Sequence, residues 1–163
     1  MATSLINRQE YYSALGRITV NMNHLEQWVR TSLFIMLGEQ VTRFVWAIFA
    51  KESFGRLMDV LRFAFSYKIS EKALMERFNE ICEKIDNLSA ERNRYLHSVW
   101  LFAEDDSFVY RTRNLRWPYI EYDTEPDIAT LNKLADNLGL IPKELFDFIN
   151  EVFPRPTATP TNT

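Results

Sequence analysis

Leu15, Ile18, Met22, Leu25, Val29, Leu33 and Met36 follow one another at steps of three or four without a gap. An α-helix, with 3.6 residues per turn, puts such a series on one face. A stripe of this length needs another apolar surface to cover it, so the chain is expected to build its core from long helices packed together. The first helix is expected from about Leu5 to Leu37, with Gly38 as its stop. Glycine is sparse throughout, four residues in 163, so little else interrupts helical runs.

The same spacing returns downstream. Between Val41 and Tyr67, Phe44, Val45, Ile48 and Phe49 form one short stripe and Leu57, Met58, Leu61 and Phe65 another. Ser53 and Gly55 mark the break, and Ser53 has the hydroxyl of a helix cap. Ser70 is the candidate cap of the next helix. There Leu74, Phe78, Ile81, Ile85 and Leu88 alternate steps of four and three, the pattern of an inter-helix seam. After His97 the composition turns β-branched and aromatic, in SVWLFAEDDSFVYRTRNLRWPYIEY. A β-hairpin is expected over about 98–122, turning at Asp105-Asp106-Ser107, and Pro118 restricts any following strand to an edge. Helix resumes near Pro126. Leu131, Leu134, Leu138, Ile141, Leu145, Ile149 and Val152 stay nearly in phase across Gly139 and Pro142, as one kinked helix or as two short ones.

The expected fold is therefore all-α: an antiparallel helical bundle with a small β-hairpin inserted before the last helix. It forms one domain over 1–153, followed by a disordered Pro/Thr-rich tail at 154–163. Hydrophobic residues at 47% and aromatics at 14% supply a core for one domain of this length.

Several functions lose their chemistry at this level. The formal net charge of −3 gives no global attraction to nucleic acid or anionic lipid, so any such binding must come from a local patch. Cys82 is the single cysteine, adjacent to an apolar seam, and is expected to be inert core. No apolar run reaches the roughly eighteen residues of a membrane span, and the N-terminus lacks a signal-peptide core, so a soluble cytoplasmic protein is expected. His24 and His97 are the only histidines and neither belongs to a metal-ligand pair. No GxxxxGKS/T or GxGxxG loop occurs. No metal or cofactor is expected.

The seam of the fourth predicted helix continues past Leu88 to Arg92, Tyr95 and Val99. An arginine thus occupies a position that should face the core or a partner helix. Arginine stays charged, and burying it alone costs several kcal/mol. One arrangement that satisfies it is a structural ion pair with Glu26, on the flank of the first helix's stripe. The other is a cleft in which Arg92 meets an anionic ligand. Asn93 and His97 lie four apart and are adjacent on the helix surface. Arg92 and His97 lie five apart, roughly 140° around the axis, so they meet only if the arginine swings over where the helix ends. A cation to neutralise a phosphate, an amide to orient an oxygen and an imidazole to move a proton make up a phosphodiester site.

The stretch Arg92-Asn93-Arg94-Tyr95-Leu96-His97 resembles the Arg-x4-His signature of HEPN domains, in the form with Asn after the arginine. The resemblance implies an all-helical, usually homodimeric domain carrying the motif near the end of a long late helix. It implies a metal-independent endoribonuclease of the kind found in toxin–antitoxin and phage-defence systems, with Arg92, Asn93 and His97 as its catalytic residues. An antitoxin or other protein partner follows from the same resemblance. Val99 stands two residues after the histidine, where HEPN toxins under nucleotidyltransferase control carry a modified tyrosine, so that form of control is not implied. Tyr95, on the seam, reads as packing.

RNA contacts are expected from Arg94 and from Tyr110, Arg111, Arg113, Arg116 and Trp117, where arginine alternates with aromatic rings. Guanidinium groups suit phosphate and the rings suit unpaired bases. The competing reading of that run is a solvated face paired with Glu104, Asp105, Asp106, Glu121, Asp123 and Asp127. The functional alternative is a non-catalytic HEPN-like helical dimer that binds RNA or another protein.

Overall fold

A computed structural model describes residues 7–38, 47–104, 109–116, 119–123 and 127–154; from residue 109 to 123 the described side chains are those of Val109, Arg111 and Thr112. The chain is mostly helical. Among the described residues its long helices are α1 (Arg8–Leu37), α2 (Phe54–Lys68), α3 (Lys72–Leu96) and α4 (Ile128–Val152). Between α3 and α4 run three strands, β1 (Val99–Phe102), β2 (Val109–Arg116) and β3 (Tyr119–Asp123).

The helix ends follow local chemistry. Gly38 adopts φ 76° and donates its amide to Phe34 O at 3.0 Å. That left-handed closure of α1 suits glycine because it has no Cβ to clash. The Ser53 hydroxyl accepts from the Arg56 amide at 3.4 Å and caps α2, while Gly55 lies inside that helix instead of at the break. The capping position of α3 falls on Glu71, whose carbonyl accepts from Met75, one residue later than the Ser70 expected from sequence. Asp127 caps α4 by accepting from the Ala129 amide at 3.1 Å. Pro142 lies within α4, so the last apolar run is a single helix. Its ring removes one backbone donor, and burial of Leu138, Ile141 and Leu145 on either side holds the helix together.

The expected hairpin is a three-stranded antiparallel sheet in the order β1-β2-β3. Val99 pairs with Thr112 and Trp100 with Arg111, and β2 then pairs with β3 through Arg116↔Tyr119, with a register shift between Thr112 and Leu115. β3 is at the sheet edge, as expected of any strand after Pro118. Leu5, Phe44, Val45, the Asp105-Asp106-Ser107 turn, Pro118, Pro126 and residues 155–163 of the tail lie outside the described residues.

Packing groups the chain into two compact units. The first comprises Met1–Asn23 and Lys84–Leu140. Its core gathers Tyr11, Ala14, Ile18 and Met22 of α1, Ile85 and Tyr95 of α3, and Leu131, Leu134, Ala135 and Leu138 of α4. Tyr11 also meets Trp100 and Phe102 of β1, each at a ring separation of 5.9 Å. Polar ties flank this core: Asn21 Nδ2 donates to Ala135 O at 2.7 Å, and Arg17 pairs with Asp136.

The second unit comprises His24–Glu83 and Ile141–Thr163. An aromatic cluster centres on Phe65, which stacks on Phe78 at 3.9 Å and has Phe148 and Phe153 at 5.7 and 6.0 Å. Leu57, Met58 and Leu61 of α2 are buried with it, as are Val29, Leu33 and Met36 of α1 and Leu145 and Ile149 of α4. Cys82, as expected, is buried.

Candidate functional site

Residues Arg92 to Ser98 belong to the first unit. The seam spacing that placed Arg92 is real: Phe78, Ile81, Ile85 and Tyr95 are buried along one face of α3. Arg92 falls in the same series but is half-buried. Its Nη1 donates to Asn93 Oδ1 at 2.7 Å, while Nε is buried and makes no hydrogen bond among the described residues. No carboxylate among the described residues pairs with it.

The acid of the structural reading, Glu26, has a partner within its own helix. Glu26 is engaged by Arg30, one turn further along α1, and Arg30 Nε also donates to Phe49 O at 3.3 Å. Arg30 is 6% exposed. Its burial makes the local carboxylate necessary, and the four-residue spacing makes it reachable without bending the backbone. That spacing was a signal in the sequence that pointed to Arg30 as the partner.

Arg92 and Asn93 are thus brought together by a direct side-chain bond. Asn93 is exposed, and the bond leaves its Nδ2 donors toward solvent. His97 follows the last residue of α3 and is exposed; its amide donates to Asn93 O at 3.3 Å. Its imidazole makes no hydrogen bond with Arg92, Asn93 or any other described residue. Of the three sequence-predicted catalytic residues, the helix terminus couples Arg92 to Asn93 and leaves His97 apart.

Arg94 is exposed, and its carbonyl accepts from Ser98 Oγ at 2.7 Å and from Arg111 Nη1 at 2.9 Å. Arg111 departs from the solvent-facing contact expected for it. It is 2% exposed, with its guanidinium 5.0 Å from the centre of the Tyr95 ring. The cause is register: Arg111 pairs with Trp100 in the sheet and faces the end of α3, whose terminal carbonyls attract a cation. Tyr95, 6% exposed, is packing as read from sequence. Trp117 and the side chains of Tyr110, Arg113 and Arg116 lie outside the described residues.

Sequence reasoning missed Trp100, whose indole Nε1 donates to Tyr95 O at 3.1 Å. Nothing in the local pattern distinguishes it from an ordinary strand aromatic. Among the described residues, no group of three or more His, Cys, Asp or Glu side chains is placed to hold a metal ion, and no helix is long and apolar enough to cross a membrane. Comparison with family profiles, characterised proteins and solved structures gives no match to this chain.

Proposed function

We propose that the chain is a HEPN-type endoribonuclease that cleaves RNA by attack of its own 2′-hydroxyl and needs no metal. The observation that carries this reading is the Arg92 guanidinium: seated on an apolar seam, tied to Asn93, and without an acidic partner among the described residues. A phosphate would supply the missing negative charge. In the reaction, the 2′-oxygen forms a bond to phosphorus as the bond to the 5′-oxygen breaks, leaving a 2′,3′-cyclic phosphate and a 5′-hydroxyl. His97 takes the proton from the 2′-hydroxyl or gives one to the departing 5′-oxygen. A positioned proton-transfer group of this kind contributes about 10²–10⁴ in rate. Arg92 stabilises the added charge on the phosphorane, and Asn93 holds Arg92 in direction. A homodimer would bring two copies of the motif together, as the family resemblance implies, and a role as a toxin or defence effector follows from the same resemblance.

The test uses purified protein with single-stranded RNA in EDTA. Cleavage with cyclic-phosphate products is expected, with none on the 2′-deoxy strand. His97→Ala is expected to abolish cutting while its circular dichroism keeps the helical signal. Equal cutting by that variant sinks the assignment of His97.

Burial of Arg111, together with the net charge of −3, favours one second reading: a non-catalytic module of the same type that binds RNA or a protein. It gives binding without cyclic-phosphate products in the same assay.

A further inference from the structure

The last turn of an α-helix leaves carbonyl groups that no amide of the helix can reach. At the end of α3 two of them are met from the sheet. Arg111 Nη1 donates to Arg94 O at 2.9 Å, and Trp100 Nε1 donates to Tyr95 O at 3.1 Å. Arg111 and Trp100 are partners across β1 and β2, so both donors stand on one rung of the sheet. The Arg111 guanidinium also covers the Tyr95 ring at 5.0 Å, and a cation at this end of a helix is favoured by the helix dipole. Ser98 completes the arrangement: its hydroxyl bonds Arg94 O at 2.7 Å and its amide bonds Tyr95 O at 3.4 Å. His97 lies between the clamped turn and Ser98. Donors from β1 and β2, together with Ser98, thus meet the last carbonyls of α3 around His97.

We propose that Arg111 and Trp100 are positioning residues for His97, acting through the carbonyls of Arg94 and Tyr95 to fix the imidazole at the end of α3. Their catalytic consequence rests on the nuclease reading; the clamp itself does not. A helix end without such donors frays, and a displacement of the reacting group by about 1 Å costs about 10²-fold in rate.

Arg111→Met removes donor and charge at similar side-chain length, and Arg111→Lys keeps a cation within reach of the carbonyl. For cleavage of single-stranded RNA, R111M is expected to lose about 10²-fold in kcat with KM held within about twofold, and R111K to recover most of the loss. Hydrogen exchange on the same proteins gives a readout that needs no activity. The His97 and Ser98 amides are expected to exchange about tenfold faster in R111M, with the buried Leu134 amide unchanged. Wild-type exchange at His97 and Ser98 in R111M overturns the clamp. Faster exchange with unchanged kcat overturns its catalytic role, and loss of kcat in step with Leu134 protection reduces it to a folding effect. Should R111M not fold, Trp100→Phe removes the indole donor alone: faster exchange at Ser98 supports the clamp and unchanged exchange overturns it. A wild-type protein that cuts no RNA defeats the nuclease reading, and amide exchange then decides the clamp by itself.

Discussion

At the residue scale, Arg92 is a cation on an apolar seam. Its position on the seam was readable, because Leu88, Arg92 and Tyr95 continue the four-and-three spacing of the residues before them. Its partner was not readable from that spacing. Glu26, the acid suggested for it, is paired with Arg30 one turn along α1, and Arg30 is buried. A guanidinium with a buried Nε and no acid beside it adds nothing to stability that an apolar chain could not add. Arg92→Met is therefore expected to abolish RNA cleavage while leaving stability unchanged or raised by up to about 1 kcal/mol, read from urea midpoints. A loss of about 3–5 kcal/mol instead is the mark of a broken buried ion pair and returns the residue to a structural role. Arg111 shows the reverse case. A basic, aromatic run reads as a solvent or RNA face, and only the pairing with Trp100 reveals that this arginine turns inward.

At the scale of elements, the helices were the legible part. Their stripes repeat over many turns, and each stripe is a redundant signal. The sheet was partly legible: turn residues and β-branched side chains announced strands, and any strand after Pro118 was placed at an edge, but its pairing with β2 through Arg116 and Tyr119 was not assigned. Between α3 and α4 in the second unit, Arg77 meets Glu151 through two hydrogen bonds at 2.7 and 2.9 Å, with its guanidinium 5.0 Å from the Phe148 ring centre. The hydrogen bond from Arg77 holds the Glu151 carboxyl below its ordinary value of 4.5. A carboxylate with a lowered value in the folded state stabilises the fold above pH 4.5 and ceases to do so as pH falls through that lowered value. Glu151→Gln is expected to flatten this acid limb in urea midpoints measured from neutral pH to below 4.5, modestly, since the pair is exposed and screened. Equal slopes for the two proteins show that the pair does not contribute.

At the scale of the whole molecule, the borders of the two units fall inside helices: Asn23–His24 within α1, Glu83–Lys84 within α3 and Leu140–Ile141 within α4. Helix formation is cooperative along a continuous ladder of hydrogen bonds, so melting on one side of such a border is felt on the other. A single calorimetric transition is expected, with equal calorimetric and van't Hoff enthalpies. Two resolved transitions mean that the units unfold independently. The sequence by itself determined the long helices, the cap at Ser53, the stop at Gly38 and the exceptional placing of Arg92, because each is set by residues within a few turns of one another. The tertiary structure decided that Arg111 turns inward, and that side chains of β1 and β2 join Ser98 in meeting the last carbonyls of α3 beside His97. Such choices depend on residues that local spacing does not relate, as Arg111 and Arg94 lie 17 apart. They are competitions among several acceptable partners, and geometry and burial select between them only once the chain has folded.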